Sequence, residues 1–163
     1  MRKIIVMCLI GMVVAACTSI DCPVQNNVLS RYSLLKADGS ADTLGLDTLW
    51  LWTKRSDQKD TILNALTGSN ATSFELPMSH ILSEDTICLA LKGTSEIYHL
   101  DTIRIKKENI QHFESVDCQA SYFHTLTAVK STHYLIDTVV INHSFVSYDT
   151  SNEHLLLYLK ARR

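Results

Sequence analysis

The feature that most constrains this chain is a series of short apolar runs, many of them alternating with polar residues, separated by turn-forming residues. Alternation with a period of two is typical of β-strands, and long stretches with the helical period of 3.6 are missing from the sequence. Gly93 between two such runs predicts a β-hairpin. The runs that fit strands are 32–36, 48–53, 61–65, 73–76, 86–92, 97–106, 120–130, 135–142 and 155–160.

This pattern predicts an all-β fold, a single antiparallel β-sandwich of immunoglobulin-like size, because many short strands with turns between them pack best as two sheets. A closed barrel made from the same strands is the alternative. Neither glycine nor proline clusters into a linker, so one domain is expected.

The first sixteen residues have the composition of a secretory signal peptide. Arg2 and Lys3 precede an apolar run over residues 4–14, and the small pair Ala15-Ala16 follows. A helix of that length cannot cross a hydrocarbon core of about 30 Å, so the segment is not a stable transmembrane anchor.

The tetrad Val14-Ala15-Ala16-Cys17 resembles the bacterial lipobox. The resemblance implies cleavage before Cys17 and attachment of lipid, palmitate included, to that cysteine. The alternative is an ordinary signal peptide cut near Ala16, which leaves Cys17 a plain thiol. The expected organisation is therefore a removed signal over 1–16, a lipidated tether over 17–24 and a β-sandwich domain over 25–163. Such a protein is held at a membrane of the cell envelope, facing the periplasm, with the outer membrane favoured over the inner.

The charge of the chain argues against a nucleic-acid partner. The net charge is −2 and the isoelectric point about 6.4, and no basic stripe occurs. Loss of Arg2 and Lys3 with the signal would bring the net charge to −4, from −2 − 2. Arg104, Lys106 and Lys107 form a small basic group, which we interpret as the solvent-facing side of a strand.

The cysteines are expected to have different roles. Cys8 leaves with the signal, and Cys88 lies in an apolar run, where a free thiol behaves as a small hydrophobe. Cys22 and Cys118 have polar, loop-like surroundings, and the expected compartment permits disulfides. We predict that these two pair, with three reduced thiols as the alternative.

Asp-Thr followed by an aliphatic residue occurs six times. In the simplest interpretation the carboxylate closes a turn on a nearby backbone N–H group, and the β-branched residues open a strand. The triplets begin at Asp42, Asp47, Asp60, Asp85, Asp101 and Asp137.

Several segments together resemble a family of uncharacterised lipoproteins from the Bacteroidota. They are residues 19–23, 73–79 and 112–118, the last with 121–124. The resemblance covers essentially the whole chain after the signal. The resemblance implies the cellular location and the fold, but it implies no activity or mechanism.

The same lineage carries a periplasmic O-glycosylation system whose acceptor is Asp, then Ser or Thr, then a small or apolar residue. All six triplets match it, and a glycan needs a solvent-facing acceptor. The alternative is that the triplets only begin strands. The candidate acceptors are Thr43, Thr48, Thr61, Thr86, Thr102 and Thr138.

Two groups of side chains are candidates for binding. His112, Glu114, Asp117 and His124 contain metal-ligating groups, but we interpret them as loop residues around a disulfide and predict neither metal nor cofactor. Trp50 and Trp52 are two positions apart, so on a strand they share one face.

Leu49 and Leu51 take the other face of that strand. Packing of both faces is the favoured interpretation, and an exposed aromatic platform for sugar or protein is the alternative. Tyr122, Phe123 and Tyr134 are expected in the core.

The sequence lacks a nucleophile elbow and a phosphate-binding glycine loop. The leading hypothesis is therefore a lipid-anchored, non-enzymatic envelope module that binds or scaffolds an envelope protein or glycan. The alternatives are an envelope hydrolase acting on glycan or peptide, and a carbohydrate-binding module that uses Trp50 and Trp52.

Overall fold

The computed structural model describes residues 28–54, 60–67, 70–93, 98–116 and 118–161. The signal peptide, Cys17 and Cys22 lie outside these residues. The described chain is all-β, and none of its segments forms a helix of the length and hydropathy that a membrane crossing needs. Its strands are β1 Leu29–Leu35, β2 Thr48–Lys54, β3 Asp60–Thr67, β4 Ser73–Pro77, β5 Glu84–Lys92, β6 Tyr98–His112, β7 Ser121–Ser131, β8 Ile136–Ile141, β9 Phe145–Val146 and β10 Leu155–Leu159.

The strands form two sheets that pack as a sandwich, which confirms the predicted fold class. One sheet has the order β4-β1-β10-β8 and the other the order β3-β2-β5-β6-β7-β9. Neighbouring strands are antiparallel except β1 and β10, which pair in parallel from Tyr32 opposite Leu155 to Leu35 opposite Tyr158. The parallel pairing of β1 with β10 differs from the fully antiparallel sandwich that the sequence predicts.

Alternation along the strands decides which side chains form the core. Leu49 and Leu51 of β2 and Ile103 and Ile105 of β6 are fully buried, and each pair occupies every second position. Tyr32 stacks on Phe74 with ring centroids 4.8 Å apart, which links β1 to β4 inside the sandwich.

All nine predicted strands occur with bounds that shift by a few residues, and two differences are larger. The strand predicted to end at residue 106 continues to His112, and the two-residue strand β9 was not predicted. The hairpin at Gly93 is confirmed, because β5 and β6 are antiparallel neighbours with Lys92 opposite Tyr98. Tyr134 was expected in the core, but it is 76% exposed because it lies in the connection between β7 and β8.

The sandwich has two distinct ends. Strand β1 begins at Leu29 beside Pro77, so Val28, the loop 78–83 and the connection 113–120 lie at one end, here called the N-terminal end. Strand β1 finishes at the opposite end, here called the far end, which carries the connection 36–47 and the one that contains Tyr134.

Asp101 shows that the simple interpretation of the Asp-Thr triplets is incomplete. It lies inside β6, not before a strand, and its buried carboxylate faces the connection from β7 to β8. One oxygen accepts from the N–H groups of Leu135 and Ile136, both at 2.8 Å. The other accepts from the N–H of Thr102 at 2.7 Å, and from the N–H of Thr132 at 3.0 Å and its hydroxyl. The carboxylate therefore fixes a turn that is remote in sequence.

Candidate binding face

Trp50 and Trp52 project from the outer side of the six-stranded sheet, because Leu49 and Leu51 occupy its inner side. In the sheet register, Trp50 lies between Ala65 of β3 and Ala90 of β5. The favoured interpretation of both tryptophans as ordinary packing therefore does not describe Trp50, which is 39% exposed.

The residues around the tryptophans extend the apolar surface across four strands. Trp52 pairs with Ile62 of β3 and Cys88 of β5, and Leu100 of β6 lies opposite Ala90. Ile62 and Leu100 are exposed, whereas Cys88 and Ala90 are buried under their neighbours although they lie on the outer side. We call Trp50, Trp52, Ile62, Ala90 and Leu100 the tryptophan face.

Trp52 has an unusual polar feature. Its indole is half-buried, and its Nε1 is buried without a hydrogen-bond partner in the described structure. A buried N–H without an acceptor is unfavourable. The strand irregularity between Leu51 and Trp52 lies at this same position.

A basic depression lies along the same sheet. Arg104 and Lys106 of β6 and Lys130 of β7 line it together with Glu84 of β5, and its volume is about 220 Å³. Arg104 and Lys106 are exposed, as the sequence interpretation requires.

Lys107 contradicts that interpretation, because its side chain is fully buried. Alternation along β6 turns it to the inner side, where its ammonium lies 3.3 Å from a carboxylate oxygen of Asp85. The ammonium also donates to the backbone oxygen of Leu82. Burial raises the pKa of Asp85, and the Lys107 ammonium partly offsets that increase. The pairing of these two charges could not be read from the local sequence.

His124 of β7 lies beside this pair on the inner side and is buried. Its Nδ1 is 2.8 Å from Oδ1 of Asn109, and the Asn109 amide donates to the backbone oxygens of His80 and Leu82. With its amide nitrogen so engaged, Asn109 accepts through Oδ1, so Nδ1 of His124 carries the proton. Burial lowers the pKa of His124 to about 4, with further lowering by the positive charge of Lys107 and by His80.

His112 projects from the opposite side of the sheet. Its ring stacks on Phe123 at 4.3 Å, and its Nε2 is 3.1 Å from Oε1 of Glu114. Phe123 and His124 are adjacent on one strand and so point to opposite sides. The structure therefore does not bring His112 and His124 together.

The sequence also did not reveal an aromatic cluster beside His112. Phe123 contacts Phe145 and Tyr148 edge to face, at 5.8 Å and 4.9 Å, and Tyr148 also contacts His112. The contacts hold β9 and the following residues on β7. Among the described residues no three His, Cys, Asp or Glu side chains could hold a metal ion together, and Asp117 lies outside them.

The candidate glycosylation sites differ in accessibility. Thr43 and Thr138 are exposed, and Thr138 lies on β8, an edge strand. The half-buried candidates are Thr48, Thr61, Thr86 and Thr102.

The cysteines of the described chain also differ. Cys88 is a buried free thiol, as expected from its apolar run. Cys118 is buried and is not a free group. Its predicted partner, Cys22, lies outside the described residues, so the pairing stays a prediction.

These features define a sandwich-like all-β domain with an apolar outer face and a polar cluster on its inner side. A family model matches residues 35–159, and the chain belongs to that family, a family of unknown function (DUF6452). Comparison with curated proteins finds no match. Comparison with solved structures finds none either.

Proposed function

We propose that this chain is a lipid-anchored, non-enzymatic module of the cell envelope that binds or scaffolds an envelope partner through the tryptophan face. The observation that carries the proposal is the exposure of Trp50 beside Ile62 and Leu100 on a sheet whose other side already forms the core. Exposed apolar surface that the fold does not need is typical of interaction sites, and tryptophan is the residue most enriched at their centres.

The proposed location of the module at a membrane of the cell envelope is based on the sequence. The lipobox-like tetrad ending at Cys17 supports acylation, and more than one chain gives stable membrane attachment. Retention of the unprocessed chain in the cytosol would contradict this part of the proposal.

Photo-crosslinking in intact envelopes tests the binding face. A photoreactive p-benzoylphenylalanine replaces Ile62, which lies beside Trp52 on the edge strand β3, and the same group replaces Tyr134 at the far end as a control. A defined protein adduct from position 62 alone is the expected result, and the double change Trp50→Ala with Trp52→Ala abolishes it. Equal adducts from both positions, or none from position 62, reject the tryptophan face as the binding surface.

A second candidate function is carbohydrate binding by the same face. Two indoles on one strand are suited to stacking on sugar rings, and this candidate predicts a glycan adduct from position 62. Glycan-array binding by the unchanged protein, lost in the double tryptophan variant and kept in Tyr134→Ala, distinguishes it from protein binding.

The hydrolase alternative gains less support from the geometry. It required a cleft that holds polar side chains around His112 or His124, and these two histidines lie on opposite sides of the sheet. His124 is buried and hydrogen-bonded to Asn109, and the ring of His112 is stacked on Phe123. Hydrolysis of envelope glycan or peptide that is lost in both His112→Ala and His124→Asn would restore the enzymatic hypothesis.

A further inference from the structure

Exposed apolar side chains concentrate at the N-terminal end of the sandwich. Ile81 and Leu82 lie in the loop between β4 and β5, and Phe113 and Val116 lie in the connection between β6 and β7. All four are exposed, Ile81 by 79% and Val116 by 97%. We call these four residues the apolar tip.

Hydrogen bonds within the loop and from the inner side of the sheet hold the backbone that carries Ile81 and Leu82. Ser79 Oγ accepts from the N–H groups of Ile81 and Leu82, at 3.3 and 3.1 Å. On the inner side, Lys107 and Asn109 both donate to the backbone oxygen of Leu82. The backbone is therefore bound to the sheet while the two apolar side chains face away from it.

The charged pair of Asp85 and Lys107 also holds this loop. Asp85 accepts from the N–H of Ser79 at 3.2 Å and pairs with Lys107, so both charges contact the loop. A buried pair is costly to assemble, and here it fixes a loop whose exposed residues contribute nothing to the core.

The chain enters the sandwich at this same end. Val28 precedes β1, and Leu29 pairs with Pro77, the residue from which the loop departs. Eleven positions separate Cys17 from Val28, so a fully extended tether reaches about 40 Å at most. If Cys22 is bonded to Cys118, only five positions remain between Cys17 and the bonded cysteine, and the maximum reach falls to about 18 Å.

We propose that the apolar tip rests in the interfacial layer of the membrane that holds the Cys17 anchor. This inference depends on the proposed acylation and deepens it. A short tether at the N-terminal end keeps the four apolar side chains within reach of the bilayer, where their burial is favourable. Glu114 follows Phe113, and its Oε1 lies 3.1 Å from Nε2 of His112.

Such an orientation has a consequence for the tryptophan face. The strands run between the N-terminal end and the far end, so a sandwich standing on its N-terminal end presents its sheets roughly upright on the membrane. The tryptophan face then points sideways into the envelope space and stays open to a partner.

Photo-crosslinking to lipid tests the inference. The processed chain is reconstituted in vesicles of phosphatidylethanolamine and phosphatidylglycerol, with p-benzoylphenylalanine in place of Val116. The matched control carries it in place of Leu46, which is 81% exposed but lies at the far end. We expect at least about tenfold more lipid adduct from position 116, the preference that burial of one large apolar side chain provides.

A second pair of variants keeps the test independent of the probe position. With the probe at position 116, Ile81→Asp should lower the lipid adduct several-fold, whereas Leu46→Asp should leave it unchanged. Thermal unfolding of each variant establishes that it is folded.

The outcomes separate this inference from the anchor. Mass spectrometry of the same sample shows whether Cys17 is acylated, and a chain without acyl groups overturns the anchor and this inference together. An acylated chain with equal lipid adducts from positions 116 and 46 overturns the inference alone. An adduct from position 116 to a second copy or another protein, in place of lipid, also overturns it.

Discussion

The ammonium of Lys107 lies 3.3 Å from the carboxylate of Asp85 on the inner side of the six-stranded sheet, and the lysine side chain is fully buried. The pair joins β5 to β6 and holds the loop 78–83 through Leu82 and Ser79. One pair of opposite charges therefore stabilises both a sheet and the loop that covers its end.

Removal of one partner from this pair should be strongly destabilising. Lys107→Met leaves the half-buried Asp85 carboxylate without its counter-charge, and we expect a loss of up to about 3–5 kcal/mol in the free energy of unfolding. Urea denaturation measures the loss. Lys106→Met, at the exposed neighbouring position, is the control and should change stability by less than about 0.5 kcal/mol.

The double variant Lys107→Met with Asp85→Asn tests the cause. Asparagine removes the uncompensated charge and keeps an oxygen for the N–H of Ser79, so the double variant should be more stable than Lys107→Met alone. If the two changes simply add, the pair is not the source of the effect.

The Asp101 carboxylate provides a second prediction. Burial alone would raise its pKa, but the hydrogen bonds from Ile136, Thr132, Leu135 and Thr102 hold the pKa below its usual value. Asp101→Asn replaces one accepting oxygen with an amide that faces N–H donors, so a loss of about 2–4 kcal/mol is expected at pH 7.

The control for Asp101 is Asp137→Asn, which changes the same Asp-Thr motif at an exposed site. Because the folded pKa of Asp101 is depressed, its contribution is present above the unfolded pKa and is lost as the pH falls through the folded value. The difference in stability between the unchanged protein and Asp101→Asn should therefore shrink in acid. A difference that is constant with pH would contradict this account.

How much of this the sequence could predict depends on the distance over which each residue acts. Alternation places Leu49 and Trp50 on opposite faces of any strand that contains both. Because both faces of β2 are apolar, the pattern does not say which face is buried. Had the predicted strand been extended past residue 106, alternation would have placed Lys107 on the core side with Ile103 and Ile105.

Burial of that lysine nevertheless depends on Asp85 of another strand, and no local pattern encodes that contact. The parallel pairing of β1 with β10 joins residues from opposite ends of the chain, Tyr32 and Leu155 among them. The role of Asp101 likewise depends on N–H groups more than thirty positions away. Local propensity therefore predicts the strands, whereas the environments of Lys107 and Asp101 depend on contacts with residues that are distant in sequence.

The lowered pKa of His124 predicts a pH dependence of stability. The folded pKa of about 4 lies below the usual value of 6.5, so the unfolded chain binds the proton more tightly between these values. Stability should therefore fall as the pH decreases from about 6.5 to about 4, by up to about 3 kcal/mol from this group. His124→Asn keeps a donor for Asn109 and should remove this part of the slope, whereas His133→Asn, at an exposed site, should keep it. An unchanged slope in His124→Asn would assign the dependence to other groups.

The accessibility of the threonines makes the glycosylation hypothesis specific. If the native lipoprotein is modified, Thr138 and Thr43 should carry the glycan, because a bulky group needs an exposed acceptor. Mass spectrometry of the native protein should show the added mass, which Thr138→Ala with Thr43→Ala removes and Thr86→Ala with Thr102→Ala does not. A mass equal to polypeptide plus lipid would reject modification.

Thiol counting tests the predicted pairing of Cys22 with Cys118. In the mature protein, with Cys8 removed and Cys17 acylated, the denatured but unreduced chain should expose one thiol, that of Cys88. Reduction should raise the count to three. Cys22→Ser should give two thiols without reduction, because it releases Cys118. Three thiols in the unreduced, unchanged protein would show that the two cysteines are not bonded. The tether between Cys17 and Val28 would then keep its full length, and the apolar tip would be held less closely to the membrane.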